Sequence, residues 1–224
     1  MKIIISGFGK MGKKIKTLAQ IRGHSIVNIS NSKNPLINLD ITKCDVVIDF
    51  STPSTALDNI LYTLKNNIPI ISGTTNWLTN FDKVKNLCLE KNGAFLYSAN
   101  FSLGMNIFFE INKKIAKIMK AHNYNCEVSE VHHNEKIDSP SGTALVLKKD
   151  IEKFYNQNIN IDSVRVKKIV GIHNVKYESD IDEIIISHKS KSRDGFALGA
   201  ILAAEWIRGK TGLFTMKDVL RIQN

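Results

Sequence analysis

Short apolar runs alternate with amphipathic stretches along this chain, and their spacing predicts most of its elements. Residues 2–6 (Lys-Ile-Ile-Ile-Ser) suit a buried strand, and a helical pattern through Ile15, Leu18 and Ala19 follows. Ser25–Ser30, Asp45–Phe50, Ile68–Ser72 and Ala94–Ser98 read as further strands. Ser51-Thr52-Pro53 opens a helix with Thr52 as cap and Pro53 in the first turn, and another helix covers about 77–91. Residues 31–43 are polar and short, more a connection than a unit. Strands and helices alternating at these lengths imply a parallel, doubly wound sheet with both faces covered.

From about residue 103 the pattern changes. A helix over Met105–Ala121 leads into a β run, Asn125–Val131, and a helix opening at Ser141 runs to about Tyr155. Val164–His173 and Ile181–Ser190 read as half-buried strands, with Asp180 and Asp182 marking the turn between them. An amphipathic helix over Phe196–Ile207 carries Trp206, and a closing segment, Leu213–Leu220, is capped by Thr215 with Asp218. The expected fold is α/β: a Rossmann-type doubly wound parallel sheet plus a second α+β domain with an open mixed sheet.

Two motifs carry chemistry. Gly7-Phe8-Gly9-Lys10-Met11-Gly12 joins the first strand to the first helix, a G-x-G-x-x-G loop in the context that a dinucleotide fingerprint requires. There Gly7 permits the tight turn, Gly9 lets a pyrophosphate approach the backbone, and Gly12 lets the helix pack on the strand. This loop, Ser51-Thr52, Gly73-Thr74-Thr75 and Ala99-Asn100-Phe101 all follow the carboxyl ends of predicted strands. Ligands of open α/β sheets bind along that edge, so these loops are expected to line one crevice.

The second motif runs from His132 to Ala144 (His-His-Asn-Glu-Lys-Ile-Asp-Ser-Pro-Ser-Gly-Thr-Ala). Adjacent side chains of an extended segment face opposite ways, so His132 and His133 do different work. Ser141-Gly142-Thr143 offers N–H groups and hydroxyls at a helix start, a cradle for a carboxylate. Histidine, Lys136 and the cradle together read as a site that binds an acidic small molecule and moves a proton onto it.

Composition narrows the classes. Hydrophobic content of 43% and charged content of 23% are those of an ordinary globular protein. No long apolar run and no signal-like leader stand out, so a cytoplasmic protein away from the membrane is expected. Cys44, Cys88 and Cys126 are too widely separated for a metal site or a disulfide framework, and no metal is expected. The net charge of +10 is spread over scattered lysines without a zinc-finger, recognition-helix or RNA-binding signature. Nucleic acid is therefore not an expected partner, while the positive field helps draw in anionic substrate and cofactor.

Taken in order, several segments resemble the 4-hydroxy-tetrahydrodipicolinate reductase (dihydrodipicolinate reductase) family of the diaminopimelate route to lysine. They are the Gly7–Gly12 loop, Asp49-Phe50-Ser51, Gly73-Thr74-Thr75, Ala99-Asn100-Phe101-Ser102, Glu130-Val131-His132-His133 with Lys136 and Ser139–Ala144, and the tail Gly209–Leu220. The resemblance implies NAD(P)H-dependent reduction of a cyclic dicarboxylate, with His132 as proton donor/acceptor and Lys136 as proton donor. It gives His133, Gly142 and Thr143, beside Ser141, to the substrate. Gly7, Phe8, Gly9, Lys10, Met11, Gly12, Gly73, Thr74, Thr75, Ser98, Ala99, Asn100 and Phe101 go to the nicotinamide cofactor. It also implies a homotetramer assembled through the sheet of the second domain. Residues 1–102 with 194–224 would form the dinucleotide-binding domain, and 103–193 the substrate-binding and oligomerisation domain.

The second strand ends in Ile29-Ser30-Asn31-Ser32-Lys33, without the acidic residue that binds the ribose 2′-hydroxyl of NADH. Nothing there repels a 2′-phosphate and Lys33 is placed to pair with one, so NADPH, NADH or both are expected as cofactor. The short connection that follows is expected to leave the adenosine edge open. Two other readings stay available: an aspartate or homoserine dehydrogenase-like enzyme, and a non-enzymatic nucleotide sensor. The second needs no paired His and Lys beside an anion cradle.

Overall fold

The computed structural model of the chain describes every residue except Ile137, Lys168, Gln223 and Asn224. The chain divides into two compact units, Met1–Leu103 with Asp194–Asn224, and Gly104–Arg193. The first unit opens with β1 (Lys2–Ser6), α1 (Lys10–Ile21), β2 (Ser25–Ser30), β3 (Val46–Asp49), α2 (Pro53–Lys65), β4 (Ile70–Ser72), α3 (Phe81–Glu90) and β5 (Ala94–Tyr97). The second comprises α4 (Leu103–Ala121, opening at the boundary), β6 (Asn125–His132), α5 (Gly142–Tyr155), β7 (Ile161–Arg165), β8 (Gly171–Glu178) and β9 (Glu183–Ser190). The chain returns to the first unit with α6 (Asp194–Ile207), β10 (Gly212–Phe214) and α7 (Met216–Val219).

The first unit's strands lie in the order β10-β5-β4-β3-β1-β2, and every neighbouring pair is parallel. Side chains alternate across each strand, so one continuous apolar run fills two layers. Ile3, Ile5, Val46, Ile48, Ile71 and Leu96 pack with Ile15 of α1 and Ala200, Ile201 and Ala204 of α6. Ile4, Val47, Ile70 and Phe95 pack on the other side with Ile60 and Leu64 of α2 and Val84 and Cys88 of α3. Each isoleucine of β1 is fully buried, a contribution of about 1.5–3 kcal/mol apiece.

Three expectations need correction. Helix α6 is not amphipathic: it is apolar almost all round, with Ala197, Gly199, Ala200, Ile201, Ala203, Ala204 and Ile207 buried. A Cβ on Gly199 would lie 1.8 Å from the carbonyl oxygen of Phe101, so close backbone packing replaces the polar face. The connection over 31–43 is not merely polar, since Leu36, Leu39 and Ile41 anchor it in the core beside Val47. Val164–His173 is not one strand but the end of β7 and the start of β8, separated by a turn in which Ile169 N–H donates to Val166 O at 3.4 Å. The alternation continues through that break, so hydrophobicity alone hides it; Lys168 in that stretch lies outside the described residues.

The second unit carries a mixed sheet, β7-β6-β8-β9, with β6–β7 parallel and the other pairs antiparallel. Val128, Val175 and Tyr177 on one face pack against Met105, Phe108 and Ala116 of α4 and Ala144, Leu147 and Ile151 of α5. Among the described residues no helix is long and apolar enough to cross a membrane.

Candidate functional site

In the first unit the three glycines of the loop do separate jobs. Gly7 sits at φ +91°, and a Cβ there would meet the Phe50 carbonyl oxygen at 2.1 Å. A Cβ on Gly12 would meet the Gly7 carbonyl oxygen at 2.1 Å, so helix and loop touch backbone to backbone. Above Gly9 nothing lies within 4 Å. The loop is tight at Gly7 and Gly12 and open at Gly9. Lys10, Met11 and Gly12 form the first turn of α1, which has no acidic residue to occupy its N–H groups.

Beneath the neighbouring strand ends lies a polar node that the sequence reading did not single out. Asp49, fully buried at the end of β3, accepts from Ser72 Oγ at 2.9 Å and Thr74 Oγ1 at 2.8 Å. Asn59 of α2 donates to Ser6 Oγ at 3.0 Å and Ser51 Oγ at 3.2 Å, and approaches Asp49 at 3.4 Å. Thr74 thus spends its hydroxyl inside, also accepting from Ser51 N–H at 3.0 Å, while Trp77 Nε1 holds its carbonyl at 2.7 Å. Gly73 is required for packing, because a Cβ would strike the Phe50 ring at 2.3 Å. Thr75 follows these residues and is exposed.

The loop after β5 is closed by Ser98, whose hydroxyl donates to Asn100 O at 2.7 Å, and by Asn100 Oδ1 accepting from Ser102 N–H at 2.9 Å. Ala99 is exposed, whereas Phe101 is buried against Phe50 with ring centroids 5.6 Å apart. A cavity of about 620 Å³ opens beside the glycine loop, lined by Gly7, Phe8, Gly9, Asn31, Ser32 and Thr52 among others. Asn31 Oδ1 caps its turn by accepting from the N–H groups of Lys33 at 2.9 Å and Asn34 at 3.1 Å. Lys33 itself is exposed on that turn and is not part of the cavity wall.

In the second unit strand register assembles the chemistry. Ser163, Glu130, His173 and His188 stand in one row across β7, β6, β8 and β9. His132 pairs with Arg165 in the next row. Glu130 is fully buried; its Oε1 accepts from Ser141 N–H at 2.9 Å, Ser163 Oγ at 3.0 Å and Arg165 Nη2 at 3.3 Å. Its Oε2 stands 3.3 Å from His132 Nδ1 and 3.7 Å from His173 Nε2. The two imidazoles meet edge to face, 4.9 Å between centroids. Ser141 caps α5, its Oγ accepting from Ala144 N–H at 3.2 Å and meeting His173 Nε2 at 3.3 Å. Both its N–H and its hydroxyl are engaged internally.

Lys136 is partly exposed and paired with Asp138, Nζ lying 2.8 and 3.0 Å from the two carboxylate oxygens. That carboxylate also feels the Gly142 N–H, so it sits between the lysine and the start of α5 as an internal counter-ion. Arg165 Nη2 donates to Asp138 O at 2.7 Å, which ties the loop to β7. His133 is half-buried, its carbonyl accepting from Lys136 N–H at 3.1 Å; Ile137 lies outside the described residues.

Charge states follow from these contacts. The Lys136 ammonium holds the Asp138 carboxyl below the usual range. Burial pushes Glu130 upward, but the Ser141 and Ser163 donors outweigh it, so the net shift is downward and Glu130 is anionic. Burial, with Lys136 and Arg165 nearby, pushes His132 below its usual value against the pull of Glu130. Burial and His132 push His173 down to about 4, so at neutral pH it is an uncharged spacer. Sequence reasoning quoted Glu130 but gave it no role, and passed over His173, Ser163 and Arg165. The shared face of Glu130 and His132, two residues apart on a strand, was the one local signal available.

The chain matches the family models described as dihydrodipicolinate reductase, N-terminus, over residues 1–101, and dihydrodipicolinate reductase, C-terminus, over residues 104–220. It is 42% identical to the 4-hydroxy-tetrahydrodipicolinate reductase of Christiangramia forsetii, over 98% of each chain. It is 36% identical to the same-named protein of Thermosipho africanus, over 99% of this chain and 98% of that one. Among solved structures, dipicolinate-bound dihydrodipicolinate reductase from Paenisporosarcina sp. TG-14 shares the fold with a TM-score of 0.83, 19% identity and coverage of 100% and 99%. An aspartate dehydrogenase from Thermotoga maritima is a more distant likeness in fold, at a TM-score of 0.54 and 14% identity over 94% and 97%. Matched by both family models, and by relatives alike over almost their whole length, the chain belongs to the dihydrodipicolinate reductase family of NAD(P)H-dependent oxidoreductases.

Proposed function

We propose that this chain reduces 4-hydroxy-tetrahydrodipicolinate to tetrahydrodipicolinate, using NADPH or NADH, in the cytoplasmic diaminopimelate route to lysine. The observation that carries this reading is the grouping, in one unit, of a buried Glu130–His132 pair, the Lys136 ammonium and the N-terminus of α5. Two carboxylates of a small dicarboxylate need two cationic or N–H-rich holds, and these residues supply them.

The residues of the first unit fit a dinucleotide, because the open face of Gly9 and the uncommitted start of α1 suit a pyrophosphate. When bound there, the cofactor supplies the hydride. The substrate gives up its hydroxyl as water and gains a hydride and a proton. Lys136 takes a substrate carboxylate in place of Asp138 and delivers that proton; Gly142 and Thr143 hold the other carboxylate, with His133 beside them. His132 accepts or returns a proton at Nε2, where Gly171 leaves room.

The assay is oxidation of NADPH or NADH by the purified protein with the cyclic substrate, aspartate and homoserine in parallel. Turnover with the cyclic substrate alone supports the reading; turnover with aspartate, or cofactor binding without any turnover, overturns it. The oligomer belongs to the same proposal. A homotetramer forms through the outer face of the second unit's sheet, where Ile185 is 56% exposed beside Lys176 and Asn174. Light scattering that returns a monomer refutes that part.

A further inference from the structure

Resting on the proposed reduction, we infer that Glu130 is the positioning residue of the site: one of its carboxylate oxygens orients the His132 imidazole, while the other fixes the start of the anion cradle. The division of labour follows from the donors. Oε1 already accepts from Ser141 N–H, Ser163 Oγ and Arg165 Nη2. Oε2 is buried and has no hydrogen-bond partner, and neither has His132 Nδ1, 3.3 Å away. A buried carboxylate oxygen left without a donor is costly, and so is a buried ring nitrogen. A proton on His132 Nδ1 is the nearest donor to Oε2: at 3.3 Å the two are in charge contact, and a turn of the imidazole converts that contact into a hydrogen bond that relieves both. That assignment leaves Nε2 as the working atom of the neutral ring.

The surroundings of Nε2 agree. A Cβ at position 171 would crowd it at 3.0 Å, a contact that the glycine at the start of β8 avoids. His173 offers no equal alternative. Its Nε2 is farther from Oε2, at 3.7 Å, and is shared with Ser141 Oγ at 3.3 Å. Ser141 N–H, bonded to Oε1, begins α5. A single side chain therefore sets the imidazole and the cradle in one frame. A plain stitch between β6 and β7 accounts for Ser163 and Arg165, but not for a second carboxylate oxygen buried 3.3 Å from His132 Nδ1.

The charged and titratable groups facing His132 are Glu130 on its own strand, Arg165 on β7, His173 on β8 with His188 of β9 behind it, and His133 and Lys136 in the following loop; α5 brings no acidic residue in its first turn. Burial, Lys136, Arg165 and His133 all favour the neutral ring, and Glu130 opposes them. Glu130→Gln keeps the size and loses that opposition, so the ionisation of His132 moves to lower pH. A charge at this separation is worth about one pH unit or more.

Nitrogen-15 histidine NMR of the wild type, with steady-state pH profiles of the wild type, Glu130→Gln and Glu130→Asp, tests the inference. The wild type is expected to show His132 as the Nδ1–H tautomer. Glu130→Gln is expected to lower kcat by about tenfold to a hundredfold, more than it changes KM, and to shift the His132 ionisation downward. Glu130→Asp, which keeps the charge, restores the profile and part of kcat. A wild-type Nε2–H tautomer overturns the inference even if no variant folds. So does a Glu130→Gln enzyme that loses stability but keeps the wild-type tautomer and profile. An inactive wild type instead refutes the proposed reaction and leaves the tautomer measurement standing.

Discussion

Gly9→Ala separates what the glycine loop does for the fold from what it does for a dinucleotide. The new methyl group meets nothing within 4 Å, and Gly9 already has an ordinary backbone, φ −78° and ψ −156°. Alanine is a poorer N-cap than glycine by about 0.5–1 kcal/mol, while the stiffer unfolded chain returns about 0.4–1 kcal/mol. The two nearly cancel, so the melting temperature should move by no more than about 2 °C. A bound pyrophosphate, however, has to approach the place where the methyl now stands. Losing one or two charge-assisted N–H contacts there costs about 1.5–3 kcal/mol, which is about a 10- to 150-fold weaker Kd. Fluorescence titration with NADPH measures the affinity and thermal unfolding measures the fold. Gly7→Ala is the control with the opposite signature: at φ +91° and 2.1 Å from a carbonyl oxygen, it should cost about 2 kcal/mol or more of stability. Unchanged affinity in folded Gly9→Ala would refute the assignment of this loop to the pyrophosphate.

Lys136→Ala should leave NADPH binding intact and cut turnover by about two orders of magnitude or more, the usual worth of a placed general acid; undiminished turnover in the folded variant removes Lys136 from the mechanism. With no acidic residue at the end of β2, NADPH should serve at least as well as NADH, by about a few-fold and less so as salt rises, and Lys33→Glu should reverse the order. Because Lys33 stands off the cavity wall, a tenfold native preference for NADH at low salt would place recognition on other residues. Burial raises the Asp49 carboxyl, so the folded state binds its proton more tightly than the unfolded chain does. Wild-type stability therefore falls as pH climbs from the unfolded value of about 3.9 through the folded one, and Asp49→Asn should flatten that slope in denaturant titrations. Asp49→Ala, which strands the Ser72 and Thr74 hydroxyls, should cost about 2–4 kcal/mol, and a cost near zero would dismiss the node.

Much of the fold was legible because its signals are local. The apolar runs of β1 and β3 are each buried on both faces, and that condition is what makes a run continuous instead of alternating. The closing capping box was legible for the same reason, Thr215 N–H donating to Asp218 at 2.7 Å. Helix α6 was misread because alanine and glycine carry little weight in an amphipathic pattern, yet they are what allow a helix to approach backbone to backbone. The break between β7 and β8 was missed because the alternation of β7 resumes in β8 without a change of phase strong enough to reveal it.

The His132–Ala144 string was legible for a different reason: its members are neighbours in sequence, and their types alone suggest proton transfer to an anion. What the string conceals is the row behind it. Glu130, Ser163 and His173 are separated by tens of residues and meet only because β7 pairs parallel and β8 antiparallel to β6 in one particular register. A shift of one residue in either pairing would turn Ser163 or His173 to the opposite face and leave the Glu130 carboxylate buried with fewer donors. The polar row and the apolar core therefore depend on the same register. Val128 faces Val175 in the core under that pairing, and Glu130 faces His173 two residues further along the same strand. The hydrophobic face that builds the second unit is thus also what holds its carboxylate and imidazoles together, and pattern reading recovers only the first half of that statement.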